Sequence, residues 1–87
     1  MEYTQGTVVS SLNGHDKDRL FVIIKSEGSF VWLTDGKNRK KISPKKKNIK
    51  HIVLSHQHIP EVESLSDKSI RKQLNRLKIN EKINLWR

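Results

Sequence analysis

A basic segment in the middle of the chain is the clearest candidate for chemistry in this 87-residue sequence. Residues 35–51 read DGKNRKKISPKKKNIKH, with eight Lys or Arg after a single Asp. No acidic residue lies between positions 36 and 60 to neutralise them locally. Like charges this close together repel each other and raise the cost of folding unless an anion lies beside them. The segment therefore predicts a surface that binds a polyanion, in preference to a solvated loop.

The net charge of +9 is unevenly distributed along the chain. Residues 1–35 have a net charge of −2, residues 36–60 of +8 and residues 61–87 of +3. A near-neutral first part followed by a strongly cationic middle is typical of proteins that bind nucleic acids. Contacts between these cations and phosphates would position the protein without reading the base sequence.

Two aromatic residues, Phe30 and Trp32, lie on one face of the strand predicted before the basic segment. Exposed rings at this spacing would form a stacking platform for unpaired bases. The alternative is that both rings belong to the core. The second interpretation is favoured, because the chain has only five aromatic residues and little apolar mass.

Three histidines, His51, His56 and His58, lie close enough in sequence to suggest a metal site. The chain has no cysteine and no other fixed ligand to complete a tetrahedral site, so we predict no metal and no other cofactor. Beside a basic segment, imidazoles more simply add hydrogen bonds or charge to RNA contacts. No carboxylate, histidine and nucleophile stand in a recognisable arrangement either. We therefore predict that the protein is not an enzyme and has no small-molecule substrate.

Runs of β-branched and aromatic residues separated by turn residues predict five short strands. Asp35 and Gly36 are typical of a tight hairpin turn, and Pro44 is expected to end the fourth strand. In that strand Lys37, Arg39 and Lys41 would share one face, with Lys40 on the other. The fifth element is a strand or a short helical turn that leads into one. The predicted strands span residues 6–12, 18–26, 29–33, 37–43 and about 49–54.

The last third of the chain predicts an amphipathic helix that begins at Ser66 or Asp67. Packing of its apolar stripe against the strands is favoured over docking in a partner's groove, because a short helix is marginally stable alone. Arg71 and Lys72 would extend the cationic surface. The predicted organisation is a barrel over residues 1–58 and a helical extension over residues 59–87. The apolar stripe consists of Ile70, Leu74 and Leu77, and the residues expected to dock back at the end are Ile83, Leu85 and Trp86.

The chain also lacks the marks of an exported or membrane protein. It contains no cysteine, no apolar run approaching about 20 residues, and no basic start followed by an apolar stretch. We therefore expect a cytoplasmic protein with no membrane partner. A chain of this length buries a small core, so a deep catalytic cleft is not expected.

Residues 6–23, GTVVSSLNGHDKDRLFVI, resemble the KOW motif, in which an apolar strand leads to a glycine, a basic loop and a second strand. The likeness continues through DGKNRK and PKKKNIKH, to about Val53. It resembles bacterial KOW-domain RNA-binding proteins related to large-subunit ribosomal proteins of archaea and eukaryotes. Asp18 departs from the family, which usually has glycine there. The matching residues are Gly6, Val8, Val9, Ser11, Gly14, Asp16, Lys17, Arg19, Phe21 and Val22.

The resemblance implies a small SH3-like five-stranded barrel that binds ribosomal RNA of the large subunit, a 23S-type RNA, in the cytoplasm. Ribosomal proteins would be further partners. KOW modules also occur in transcription elongation factors, so a protein-binding adaptor of that machinery is the alternative function. Together, the charge pattern and the resemblance predict RNA contacts at Gly14, His15, Lys17, Arg19, Lys37, Arg39, Lys40, Lys41, Lys45, Lys46, Lys47, Lys50, His51, Arg71 and Lys72.

Overall fold

The computed structural model describes residues 3–11 and 19–81, with side chains up to residue 77. These residues form a five-stranded antiparallel sheet followed by one helix, α1, at Asp67–Glu81. The mainly β fold with a C-terminal helix is therefore confirmed. The strands are β1 Thr7–Ser11, β2 Leu20–Glu27, β3 Phe30–Thr34, β4 Lys45–Asn48 and β5 Ile52–His58, and single 3-10 turns lie at Ile49–His51 and Val62–Ser64.

The sheet is strongly curled, as in a small SH3-like barrel. Its strand order is β4-β3-β2-β1-β5, so β4 and β5 are the two edges and the described sheet is not closed. Five flat strands would separate the edges by about 19 Å. The 3-10 turn Ile49–His51 connects them directly, and a turn of this type advances only about 8 Å over four residues. The sheet must bend to bring its edges this close.

The apolar residues form two clusters on opposite faces of the sheet, because side chains alternate along each strand. The inner cluster joins Leu33 of β3 to Ile52 of β5, although two strands separate them in the sheet order. The outer cluster joins the other face of β1 and β2 to α1. Because both faces of β2 are covered, its sequence reads as a continuous apolar run. The inner cluster is Val9, Phe21, Ile23, Val31, Leu33 and Ile52, and the outer cluster is Val8, Leu20, Val22, Ile59, Val62, Ile70 and Leu74.

A β-bulge in β2 changes which residues face outward. The pairing of β2 with β3 shifts between Ile23, which lies opposite Leu33, and Lys25, which lies opposite Trp32. In a regular strand Lys25 would share the inner face with Ile23, because side chains alternate. The extra residue turns Lys25 to the outer face instead, on the same side as Trp32.

The predicted fourth strand at residues 37–43 is wrong. These residues belong to a loop at residues 35–44, the basic loop, and β4 follows it at Lys45–Asn48. The backbone N–H groups of Asp35 and Gly36 both donate to the Arg39 carbonyl, at 3.0 and 3.3 Å, so the chain closes a wider loop than a two-residue hairpin. Pro44 lies directly before β4, so the prediction that it ends a strand is wrong. Its missing N–H is tolerated in this position.

Helix α1 begins where the sequence predicts. The hydroxyl of Ser66 accepts a hydrogen bond from the Ser69 N–H at 3.1 Å, which caps the first turn. Ile70 and Leu74 are buried in the outer cluster and Leu77 packs against it, so the expected packing of the stripe on the sheet is confirmed. The predicted docking of residues 83–86 lies outside the described residues.

Within the described part of the chain, no helix combines the length and apolar character needed to cross a bilayer.

Candidate nucleic-acid interface

The lysines of β4 divide between the two faces of an edge strand. Lys46 lies opposite Trp32 and faces outward, whereas Lys45 and Lys47 alternate to the other side. The Lys47 Nζ donates to the Ser11 Oγ at 3.2 Å and is partly buried. Of these three lysines, Lys46 is therefore the one whose ammonium faces outward beside the aromatic rings.

Four outward residues form what we term the aromatic–lysine face: Lys25, Phe30, Trp32 and Lys46. Lys25 and Lys46 flank Trp32 as its cross-strand neighbours on β2 and β4. The Lys25 ammonium lies 4.7 Å from the centroid of the Trp32 ring. The Lys46 ammonium lies 4.5 Å from the Phe30 ring and 5.5 Å from the Trp32 ring. These distances are typical of cation–π contacts.

The favoured prediction that Phe30 and Trp32 belong to the core is wrong. Phe30 is 39% exposed and Trp32 is half-buried, and neither side chain belongs to the inner or the outer cluster. Helix α1 packs against the outer face at β2, and Phe30 and Trp32 on β3 lie outside the cluster it covers. Both rings are thus presented on the outer surface beside the edge strand.

One carboxylate organises the basic loop. Asp35 Oδ1 accepts hydrogen bonds from the backbone N–H groups of Lys37 at 2.9 Å and Arg39 at 2.8 Å. Its Oδ2 accepts from the Arg19 guanidinium at 2.7 Å. Thr34 Oγ1 donates to the Arg39 carbonyl and closes the loop further. The side chains of residues 37–40 are left exposed.

The same contacts determine the ionisation of Asp35. Burial raises the pKa of this carboxyl, but the backbone N–H groups of Arg39 and Lys37 and the Arg19 guanidinium together outweigh it. The pKa of Asp35 therefore lies below its ordinary value of 3.8, and the group is ionised at neutral pH.

Lys41 connects the basic loop to the segment before α1. Its ammonium donates to the carbonyl oxygens of Glu63 at 2.9 Å and Leu65 at 2.6 Å. Its backbone N–H donates to Asp67 Oδ1 at 2.9 Å. The predicted row of Lys37, Arg39 and Lys41 along one strand face is therefore wrong, and the Lys41 ammonium is already hydrogen bonded within the protein.

A small cleft lies between the basic loop and α1. Its volume is about 160 Å³, and its lining includes Arg19, Asp35, Lys37 and Arg71. Arg71 and its neighbour Lys72 are exposed on the helix. The structure thus brings three of the predicted cations, Arg19, Lys37 and Arg71, to one cleft, where Asp35 offsets part of their charge.

Two further predicted RNA contacts lie at the end of β4. Lys50 and His51 are exposed in the 3-10 turn that follows this strand. His58 lies elsewhere, with its ring Nε2 3.1 Å from the Gln5 carbonyl oxygen. Within residues 3–11 and 19–77, no three histidine or acidic side chains gather where they would hold a metal ion.

Two carboxylates, those of Asp35 and Asp67, accept hydrogen bonds from backbone N–H groups of the basic loop. The two ion pairs formed between described residues are Arg19–Asp35, at 2.7 Å, and Lys25–Glu27, at 3.8 Å. Both lie outside residues 37–50. The predicted contacts Gly14, His15 and Lys17, together with the departure at Asp18, lie outside the described residues.

The sequence did not identify Lys25 as part of a candidate site. The one sequence feature that marks Lys25 is that it is the first charged residue after the apolar run of β2. Its outward direction depends on the bulge, which has no sequence marker here.

Comparison of the chain with protein-family models and with curated protein sequences finds no match.

Proposed function

We propose that this protein binds RNA through its basic loop, β4 and the following 3-10 turn, with Arg71 and Lys72 extending the surface. The observation that carries the proposal is the charge of +8 over residues 36–60, which contain no carboxylate of their own. The exposed cations of this segment occupy one edge of the sheet and the loop that precedes it. An RNA backbone supplies the anion that such a surface lacks.

Ribosomal RNA of the large subunit is the target that the KOW resemblance favours. The protein would then act in the cytoplasm, on or near the ribosome. Contacts to phosphates account for affinity in this proposal, and they carry no base specificity.

Salt dependence is the first test of this proposal. If about five phosphates are neutralised, the logarithm of the affinity for ribosomal RNA falls with the logarithm of salt concentration with a slope of about −3.5 to −4.5. Filter binding across a salt series measures this slope. A slope near zero would contradict the proposal.

Charge reversal at Lys40 and Lys50 is the second test. Both side chains are exposed, so K40E/K50E leaves the hydrogen bonds of Lys41 and Lys47 intact. We expect about a tenfold or greater loss of affinity and a salt slope shallower by roughly 1.5. The matched control is K68E/R76E, which changes the net charge equally on exposed positions of α1.

Lys68 and Arg76 each lie one helical turn from Lys72, so equal losses in both double variants would mean that α1 contributes as much as the basic loop and the 3-10 turn. That result would contradict a site centred on the basic loop, β4 and the 3-10 turn. Co-sedimentation with large ribosomal subunits, lost in K40E/K50E and retained in the control, would support ribosomal RNA as the target. Binding to RNA polymerase that survives K40E/K50E would instead favour the adaptor function.

A further inference from the structure

The aromatic–lysine face is the feature that the packing of the sheet does not explain. Phe30 keeps 39% of its surface exposed, and Trp32 is half-buried outside both apolar clusters. A chain with five aromatic residues has placed two of them side by side at the surface. Exposed apolar patches rimmed by polar groups commonly mark interaction sites.

The lysines reveal that the faces of the rings, and not only their edges, are accessible. The Lys46 ammonium lies over Phe30 at 4.5 Å, and the Lys25 ammonium lies over Trp32 at 4.7 Å. Each ammonium occupies the region where a planar group would stack. Both belong to exposed side chains, and that of Lys25 is 61% exposed, so they can move aside without disturbing the fold.

We propose that the aromatic–lysine face binds unpaired nucleotides of RNA, with bases stacked on Trp32 and Phe30 and with Lys25 and Lys46 on the flanking phosphates. The two rings are two residues apart on β3, a separation of about 6.7 Å along the strand. This gives each ring room for one base. Sheets that present aromatic residues bind single-stranded RNA in this manner. The inference rests on the proposed function, since it names the kind of RNA that one part of the interface takes.

Charge favours a nucleic acid over a peptide as the occupant. Two lysines flank the rings, and Lys46 belongs to residues 36–60, which have eight basic residues and no acidic one. Glu27 is the one acidic residue among the cross-strand partners of β3, and it lies opposite Phe30 with its side chain 71% exposed. Stacking of a base is worth more than a cation–π contact at an exposed site. A base therefore displaces each ammonium, which then pairs with a phosphate.

Intrinsic fluorescence reports directly on this site. The chain has two tryptophans, so W86F leaves Trp32 as the sole one. We titrate this variant with an eight-nucleotide uridine oligomer and with a blunt RNA duplex. Quenching of Trp32 emission by the single strand, with little quenching by the duplex, is the expected result. Equal quenching by both, or none with the single strand, would overturn the inference.

Substitutions that keep apolar volume but remove the ring test the same point by affinity. We expect W32L and F30L each to weaken binding of the uridine oligomer about tenfold. Duplex binding should change less than about twofold, since phosphate contacts dominate there. The matched control is Y3L, which makes the same ring-to-leucine change at a half-buried ring that packs against the inner cluster. It should leave both affinities unchanged.

Stability measurements separate a binding role from a structural one. If W32L does not fold, F30L is used for the affinity measurement, because Phe30 is the more exposed ring. A fall in thermal stability with unchanged affinity for the oligomer would mean that the rings only stabilise the edge of the sheet, and would overturn the inference.

Different results would contradict this inference and the proposed function. Salt-dependent duplex binding that is lost in K40E/K50E, together with no effect of F30L on the oligomer, would leave RNA binding standing and remove the stacking site. No binding of either RNA would overturn both.

Discussion

At the scale of single residues, Asp35 ties the basic loop to the start of β2. Its carboxylate holds the backbone of the basic loop at Lys37 and Arg39 and the guanidinium of Arg19 at the start of β2. Its side chain is only 11% exposed, so water competes weakly for these hydrogen bonds. The exposed cations of the loop thus project from a backbone that one buried anion fixes.

Replacement of Asp35 by Asn removes the charge but keeps the shape. We expect D35N to lower the free energy of unfolding by about 1–3 kcal/mol at neutral pH, because hydrogen bonds to charged groups are lost. Urea denaturation measures the change. E27Q is the control. The Glu27 side chain is 71% exposed and lies 3.8 Å from the Lys25 ammonium, so E27Q should lower the free energy of unfolding only slightly.

The pH dependence of that difference follows from the lowered pKa of Asp35. A carboxyl whose pKa is lower in the folded than in the unfolded state stabilises the fold fully above its ordinary value of 3.8. The contribution is lost as the pH falls through the folded pKa. The gap between wild type and D35N should therefore be constant from about pH 5 to 7 and narrow below about pH 4. A gap that widens in acid would contradict this assignment.

At the scale of elements, the basic loop is docked on the first turns of α1. Gly36 has a φ of +75°, and a Cβ at this position would collide with the Asp67 carbonyl oxygen and lie 3.0 Å from the Arg71 nitrogen. The sequence predicts a tight hairpin turn at Asp35 and Gly36, but the structure has a wider loop there. In this loop the glycine is needed for contact with the helix as much as for the sign of φ.

Gly36 and Gly28 offer a matched comparison of this contact. Both have positive φ, at +75° and +62°, but a Cβ at Gly28 would meet nothing within 4 Å. G28A should therefore lower the free energy of unfolding only by the backbone strain, about 1–2 kcal/mol. G36A should lower it clearly more, because the loop must also move away from α1. Thermal denaturation of the two variants measures the difference, and equal losses would mean that the loop does not depend on the helix.

The sequence predicts four of the five strands and the start of α1, because these elements have strong apolar periodicity. It misplaces the fourth strand because Lys45–Asn48 carries no apolar pattern. This strand forms by pairing with β3, and that pairing is a long-range property. The exposure of Phe30 and Trp32 is also a long-range property, because it depends on which part of the sheet α1 covers. The sequence therefore does not predict it. The direction of Lys25 depends on a bulge that local sequence does not encode.

At the scale of the whole molecule, the helical segment is part of the core and not an appendage. Ile59, Val62, Ile70 and Leu74 share the outer cluster with residues of β1 and β2. The inner cluster occupies the opposite face of the same two strands. Loss of the helix would expose one complete face of β1 and β2, so we expect the sheet and the helix to unfold together.

Leu74 tests this cooperativity because it belongs to α1 and is only 4% exposed within the outer cluster. We expect L74A to lower the free energy of unfolding by about 2–5 kcal/mol through lost burial and the cavity left behind. In the W86F background, Trp32 fluorescence reports on β3, next to the edge strand β4, while far-ultraviolet circular dichroism reports mainly on the helix. The two urea transitions should coincide in the parent and shift together in L74A. A dichroism transition that precedes the fluorescence transition would mean that the helix unfolds while the sheet stays folded. The helix would then be an independent extension of the sheet.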